Sequence, residues 1–100
     1  MFTHIVLWRL QESAGGRTRA ENARLVKERL EEIANMLDGV RRFEVGINEI
    51  PGDDAADVAL FSEFESRDAF RAYYDHPAHQ AVVGFIKEVR VDRRVIDYTA

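Results

Sequence analysis

"VALFSEFESRDAFRAYYDHPAHQAVV", residues 58–83, changes its rhythm twice, and those changes decide the fold. Residues 58–65 have the two-residue period of a strand and read as the second arm of a hairpin. Ser66 then caps a short helix that carries Phe70, Tyr73 and Tyr74. That helix has to stop near His76, because a residue that precedes proline is disfavoured in the helical region. Pro77 suits the first position of a new helix, where its missing N–H costs nothing. In the new helix Ala78, Ala81, Val82, Phe85 and Val89 are expected along one stripe.

Upstream, "MFTHIVLWRL" alternates: Phe2, His4, Val6, Trp8 and Leu10 share one face, and Thr3, Ile5, Leu7 and Arg9 the other. A polar stretch with Gly15-Gly16 leads into a helical pattern from about Thr18 to Leu37, with Ala23, Val26, Leu30 and Ile33 on one side and Gly39 as a stop. "VRRFEVGINEI" alternates again, "PGDDAAD" is turn chemistry, and "RVDRRVIDY" closes the chain as a strand. The order is strand, helix, strand, strand, broken helix, strand. This is the βαββαβ pattern of a ferredoxin-like α+β domain, with an antiparallel four-stranded sheet and its helices on one face. Without repeats or linkers, residues 1–100 read as one domain.

The face without helices carries Ile5, Leu7, Phe61 and Ile96. Covering them is worth roughly 1.5–3 kcal/mol each, against an association cost on the order of 4–15 kcal/mol. A two-fold related sheet would cover the same residues on both partners, so a homodimer is expected through this face.

Composition narrows the function classes. A net charge of −4 argues against a nucleic-acid surface, and the basic pairs Arg41-Arg42 and Arg93-Arg94 have acidic neighbours. The absence of cysteine excludes disulfides, thiolate catalysis and zinc–thiolate sites. No apolar run approaches the ~18 residues of a membrane span, and the first ten residues lack the pattern of a signal peptide. A cytoplasmic protein that contacts neither membrane nor nucleic acid is expected. His76 and His79 stand near Asp75, but Pro77 interrupts the helix between them and no third ligand has motif spacing, so no metal site is expected. There is no phosphate loop, nucleophile elbow or dinucleotide fingerprint, and no cofactor is expected.

"HIVLWRL", "FEVGIN", "FESRDAFRAYYDHPAH" and the terminal "VIDY" together resemble the stress-responsive A/B barrel domain, or Dabb domain, over essentially the whole chain. The resemblance implies a ferredoxin-like fold whose two sheets pack in a homodimeric α/β barrel. The wider group also includes cofactor-free monooxygenases. One plant member of the family, a polyketide cyclase, performs an aldol cyclisation with a Tyr–His pair. Carried over, its tyrosine falls on Tyr73, its catalytic histidine on His79, and two further histidines on His4 and His76. The walls differ: Val26, Leu30 and Ala34 stand where that cyclase has aromatic residues, and Val58 where it has a histidine.

Two functions therefore stand open, beside a stress-linked structural role without turnover and, as a third, a cofactor-free monooxygenase of the related barrel type. One is a dimer that binds a small apolar or carbonyl-bearing metabolite between helices and sheet. The other is a cofactor-free cyclase or lyase with His79 as base and Tyr73 as hydrogen-bond donor. The cavity is expected to be lined by His4, Val6, Trp8 and Leu60 from the sheet and by Leu30 from the long helix. Val26, Val58 and His76 complete the expected lining. Each polar residue also has a plain structural reading. His79 could tie helix to sheet, Tyr73 could pack with its hydroxyl at the rim, His4 could be a hydrogen-bonded core residue, and His76 could satisfy backbone groups at the break.

Overall fold

The first strand, β1 (Phe2–Leu10), keeps the alternation of its sequence and takes a central place in the sheet. In the computed structural model, which describes residues 1–100, two short strands follow, β2 (Ser13–Ala14) and β3 (Arg17–Thr18). Then come α1 (Arg19–Ala34), β4 (Val40–Ile47), β5 (Val58–Phe64), α2 (Arg67–Asp75), α3 (Pro77–Val89) and β6 (Arg90–Thr99). The main sheet has the order β4-β5-β1-β6, and every neighbouring pair is antiparallel. This is the expected ferredoxin-like α+β architecture. No helix is long and apolar enough to cross a membrane.

Register places the side chains. Val6 stands opposite Leu60 and Val95, and Val45 opposite Leu60, so these residues share the face under the helices. Phe2, Val6, Trp8, Leu10, Val45, Val58, Leu60 and Phe64 from the sheet are buried against Val26, Leu30, Ile33, Phe70, Tyr73, Val82, Ile86 and Val89. At one end Phe64 and Phe70 meet with ring centroids 5.5 Å apart, and Phe2 and Phe70 at 4.9 Å. Tyr73 joins this group 5.3 Å from Phe64 and 5.8 Å from Phe43. Aromatic pairs at such spacings add to the burial term and fix ring orientation.

The other face is the one expected at a dimer contact. Ile5 stands opposite both Phe61 and Ile96, and Leu7 lies two residues further along the same face. Leu7 is 43% exposed, Ile96 57% and Tyr98 40%; Phe61 is half-covered, with the Arg42 guanidinium 4.7 Å from its ring centre.

Three local readings are corrected. The polar stretch around Gly15-Gly16 is a two-residue hairpin, β2–β3, whose glycines have φ of +62° and +76°, as a type I′ turn requires at both central positions. The long helix starts where expected, with a capping box between Thr18 and Glu21, but ends at Ala34 rather than Leu37. Gly39 lies beyond it, in the turn into β4, where its carbonyl accepts from the Glu65 N–H at 2.9 Å. In α3 the buried stripe is His79, Val82, Ile86 and Val89, and Ala81 is exposed. The stripe is turned towards α1 and α2, the helices against which α3 packs.

Gly39 combines a φ of +79° with a site where an added Cβ would meet the Ala69 Cβ at 2.9 Å. Gly39→Ala is therefore expected to lower stability by about 1–3 kcal/mol, read as a lower midpoint in denaturant with an unchanged slope. Gly46→Ala has open space and is expected to change stability far less.

Candidate active site

The site begins at the break between α2 and α3. Helix α2 stops at Asp75 because Pro77 has no N–H to give and forces the residue before it out of the helical region. His76 sits there with φ −61° and ψ 134°, and it is at once the C-cap of α2 and the N-cap of α3. Its Nδ1 accepts from the Ala78 N–H at 3.0 Å. In an unbroken helix that N–H would bond the carbonyl of Tyr74. The break leaves the Tyr74 carbonyl free, and two side chains take it: His79 Nδ1 at 2.9 Å and Gln80 Nε2 at 2.7 Å.

A carbonyl oxygen can only accept, so His79 Nδ1 carries the proton of this bond. In the neutral ring Nε2 then holds a lone pair. The His79 ring lies 4.4 Å from the Tyr73 ring and 5.5 Å from that of Tyr74. On the sheet side, His4 Nδ1 donates to the Asp97 carboxylate, and the His4 ring lies 4.8 Å from Phe70 and 6.2 Å from Tyr73. His4 Nε2 is likewise the unprotonated nitrogen of the neutral ring.

These groups face one cavity of about 170 Å³ between α2, α3 and the sheet. Its apolar walls are Val6, Trp8, Leu30, Leu60, Val82, Val83 and Ile86, and its polar end is His4, Tyr73 and His79. No fully buried polar side-chain atom lacks a partner, yet the Tyr73 hydroxyl makes no hydrogen bond within the protein. The hydroxyl therefore keeps access to the cavity. The volume is below the ~300 Å³ at which drug-sized pockets begin, but a cavity of ~150 Å³ is enough to take a benzene-sized guest.

Seven of the residues expected around the site come together here: His4, Val6, Trp8, Leu30, Leu60, Tyr73 and His79. Three do not. Val26 and Val58 are sealed in the core beyond the cavity, and His76 is held at the helix break by its bond to Ala78. The structure adds Tyr74, Lys87, Arg90 and Arg93 to the lining. Helical spacing from His79 through Ile86 reaches Lys87, so that residue had a local signal; Arg90 opens β6 and had none. Arg93 had none, because its place depends on how β6 pairs with β1. The molecule brings no three His, Asp or Glu side chains together as metal ligands.

Electrostatics follow from burial. Burial pulls the His4 imidazole below its ordinary 6.5; the hydrogen bond and charge of Asp97 oppose this, and Arg93 adds to it. Burial also lowers His79, opposed by the bond to the Tyr74 carbonyl and assisted by the charges of His4, Arg93 and His76. Burial pushes the Tyr73 phenol well above its ordinary 10, with Arg93 pulling the other way. At neutral pH the cavity thus holds two neutral imidazoles and a protonated phenol, a base next to a hydrogen-bond donor.

A ferredoxin-like α+β domain with a polar-ended cavity under its helices is the class that this fold and site define. The chain belongs to the stress-responsive A/B barrel domain family, Dabb, whose model matches residues 2–100. An uncharacterised protein of Streptomyces coelicolor is 32% identical over 89 residues, which cover 88% of this chain and 89% of that protein. A crystal structure of a dimeric protein of unknown function with a ferredoxin-like fold, from Bacteroides fragilis, superimposes with a TM-score of 0.85 at 30% identity, covering 99% of this chain and 95% of that one. The hydroxynitrile lyase of Passiflora edulis shares the fold, with a TM-score of 0.79 at 16% identity over 97% of this chain and 90% of its own.

Because both buried histidines titrate below 6.5 when folded, the unfolded chain takes up protons near that pH which the folded chain does not. Stability is expected to be full above about pH 6.5 and to fall as the pH drops below it towards the folded values. Imidazole proton NMR checks the assignment: Asp97→Asn should lower the His4 titration further, and relieve His79 of part of the opposing His4 charge.

Proposed function

We propose that the protein is a homodimer, joined through the helix-free sheet faces, in which each cavity binds a small carbonyl-bearing compound and His79 and Tyr73 move a proton on it. The observation that carries this reading is that Tyr73, whose hydroxyl has no partner within the protein, and His79, whose Nδ1 is held by the Tyr74 carbonyl, line the same cavity. In the proposed step a ligand carbonyl accepts a hydrogen bond from the Tyr73 O–H. His79 Nε2 takes a proton from the adjacent carbon, the C–H electron pair becomes the carbon–carbon double bond, the C=O π pair moves onto the carbonyl oxygen, and the phenol holds the resulting enolate. In a cyclisation the enolate carbon attacks a second carbonyl of the same ligand, and the proton held by His79 passes to the alkoxide that forms. The hydroxynitrile lyase on the same fold supports only the coarser point that this architecture can carry an enzyme acting on small molecules.

The role of His4 in this reading is to present a second acceptor to the ligand, its ring held by Asp97. Val6, Trp8, Leu30 and Leu60 supply the apolar wall that keeps water from the reacting atoms. A purely structural role for the pair makes the opposite demand on variants. Tyr73→Phe and His79→Gln should each lower turnover of a carbonyl substrate by on the order of 10²-fold with dimerisation unchanged. Lower melting temperatures with no effect on ligand would instead assign both residues to packing.

The dimer is supported by the exposed Leu7, Ile96 and Tyr98 around Ile5 and Phe61, and by the dimeric state of the Bacteroides relative. Leu7→Asp would bury an unpaired charge in that contact. Sedimentation should show association weakened on the order of a hundredfold; an unchanged dimer would place the interface elsewhere.

A further inference from the structure

Three cations stand at the cavity: Lys87 in the last turn of α3, and Arg90 and Arg93 at the start of β6. None of them belongs to any of the chain's ion pairs, although acidic residues outnumber basic ones 18 to 14. Lys87 has an ordinary explanation, because a cation in the last turn of a helix is favoured by the helix dipole. Arg90, the C-cap of α3, shares that explanation; Arg93 does not, and an irregularity in the sheet puts the two on one face. Trp8 pairs with Arg93 and Arg9 with Asp92, but Leu10 pairs with Arg90, so β6 carries one extra residue at this point. In a regular strand, residues 90 and 93 would lie on opposite faces. The bulge turns Arg90 to the side of Leu10, under the helices, so that both guanidiniums serve one face. Of the three, Arg93 is the cation whose charge is felt by His4, Tyr73 and His79 together.

We infer that the ligand of this cavity is a small carboxylic acid, its carboxylate held by Arg93 with Arg90 beside it and its carbonyl directed to Tyr73 and His79. This rests on the reading above that the cavity takes a carbonyl compound, and it adds the charge and the orientation. The match is chemical. A guanidinium presents a planar fork that binds a carboxylate through two parallel hydrogen bonds. The cavity lining contains no carboxylate, and the nearby Asp97 is already engaged by His4. Lys87 is a third cation at the cavity, but it is a point charge without the planar fork, and Arg93 is the cation that acts on His4, Tyr73 and His79 together, so the anionic group is assigned to the arginines. The fixed anion would also set the direction of the molecule, bringing the carbon between carboxylate and carbonyl, or the one beyond the carbonyl, towards the polar end.

Trp8 lines the cavity and is the only tryptophan of the chain, so its fluorescence reports occupancy directly. Two probes of nearly the same shape separate the two readings: phenylglyoxylate, a charged 2-keto acid, and its neutral amide. Phenylglyoxylate should bind about tenfold or more tightly than the amide, and its binding should weaken in high salt while that of the amide does not. Arg93→Gln, at an exposed position, should abolish the preference, and Arg93→Lys should restore part of it. Arg41→Gln makes the same charge change at the opposite sheet edge, where Arg41 pairs with Glu65, and should leave both probes unaffected. Equal affinity for acid and amide, or a preference that survives both Arg93→Gln and Arg90→Gln, overturns the carboxylate assignment and leaves the carbonyl cavity standing. Silence of Trp8 towards both probes, confirmed by calorimetry, overturns the cavity reading and this inference with it.

Discussion

The carbonyl of Tyr74 is the group on which the site turns. A proline three residues later deprives it of its ordinary place in a helix, and a histidine side chain takes the position that a backbone N–H would have filled. Gln80 donates to the same carbonyl, so the acceptor stays satisfied from either side while the His79 bond fixes the ring. Orientation and tautomer of His79 are thus tied to a single interaction. The arrangement explains why His79 is aimed into the space beside Tyr73 instead of along the helix surface.

Tyr73 is held from the opposite direction. Phe43, Phe64 and Phe70 surround its ring, so the phenol enters the cavity from a rigid aromatic base. His4 comes from the centre of the sheet and is braced by a carboxylate on the edge strand. Three polar groups therefore converge from three different supports: a helix break, an aromatic cluster and a strand pair. None of the three can shift without disturbing the core, which is the condition for a preorganised site.

Much of this was legible in the sequence, for reasons that differ by residue. Strand alternation gave the parity of β1, and with it the inward direction of His4 and the outward direction of Ile5 and Leu7. The Ser66 cap and Pro77 gave the helix break, because both act through local backbone chemistry. The hairpin at Gly15-Gly16 is four residues of strand around a turn, too short for a period to show. The burial of Val26 and Val58 away from the cavity depends on how deeply α1 settles onto the sheet, which no local pattern records. The place of the arginines is hidden for the same kind of reason: the partner of Arg93 is set by the register of β6 against β1, and the direction of Arg90 by an inserted residue, both non-local facts. The residues that could be read were those whose role is decided within one turn or one pleat.

The strand order has a further meaning for how the domain comes into being. β1 is the first strand to be made, yet it is central, and both its partners, β5 and β6, lie far downstream. During synthesis it must wait with two open edges and an apolar face on each side, and its pairing with β6 closes a loop of nearly the whole domain. Such long-range closure is slow compared with helix formation. The nascent chain is therefore exposed to aggregation until its last strand arrives, and Arg9 is the one charge that β1 itself carries through that interval.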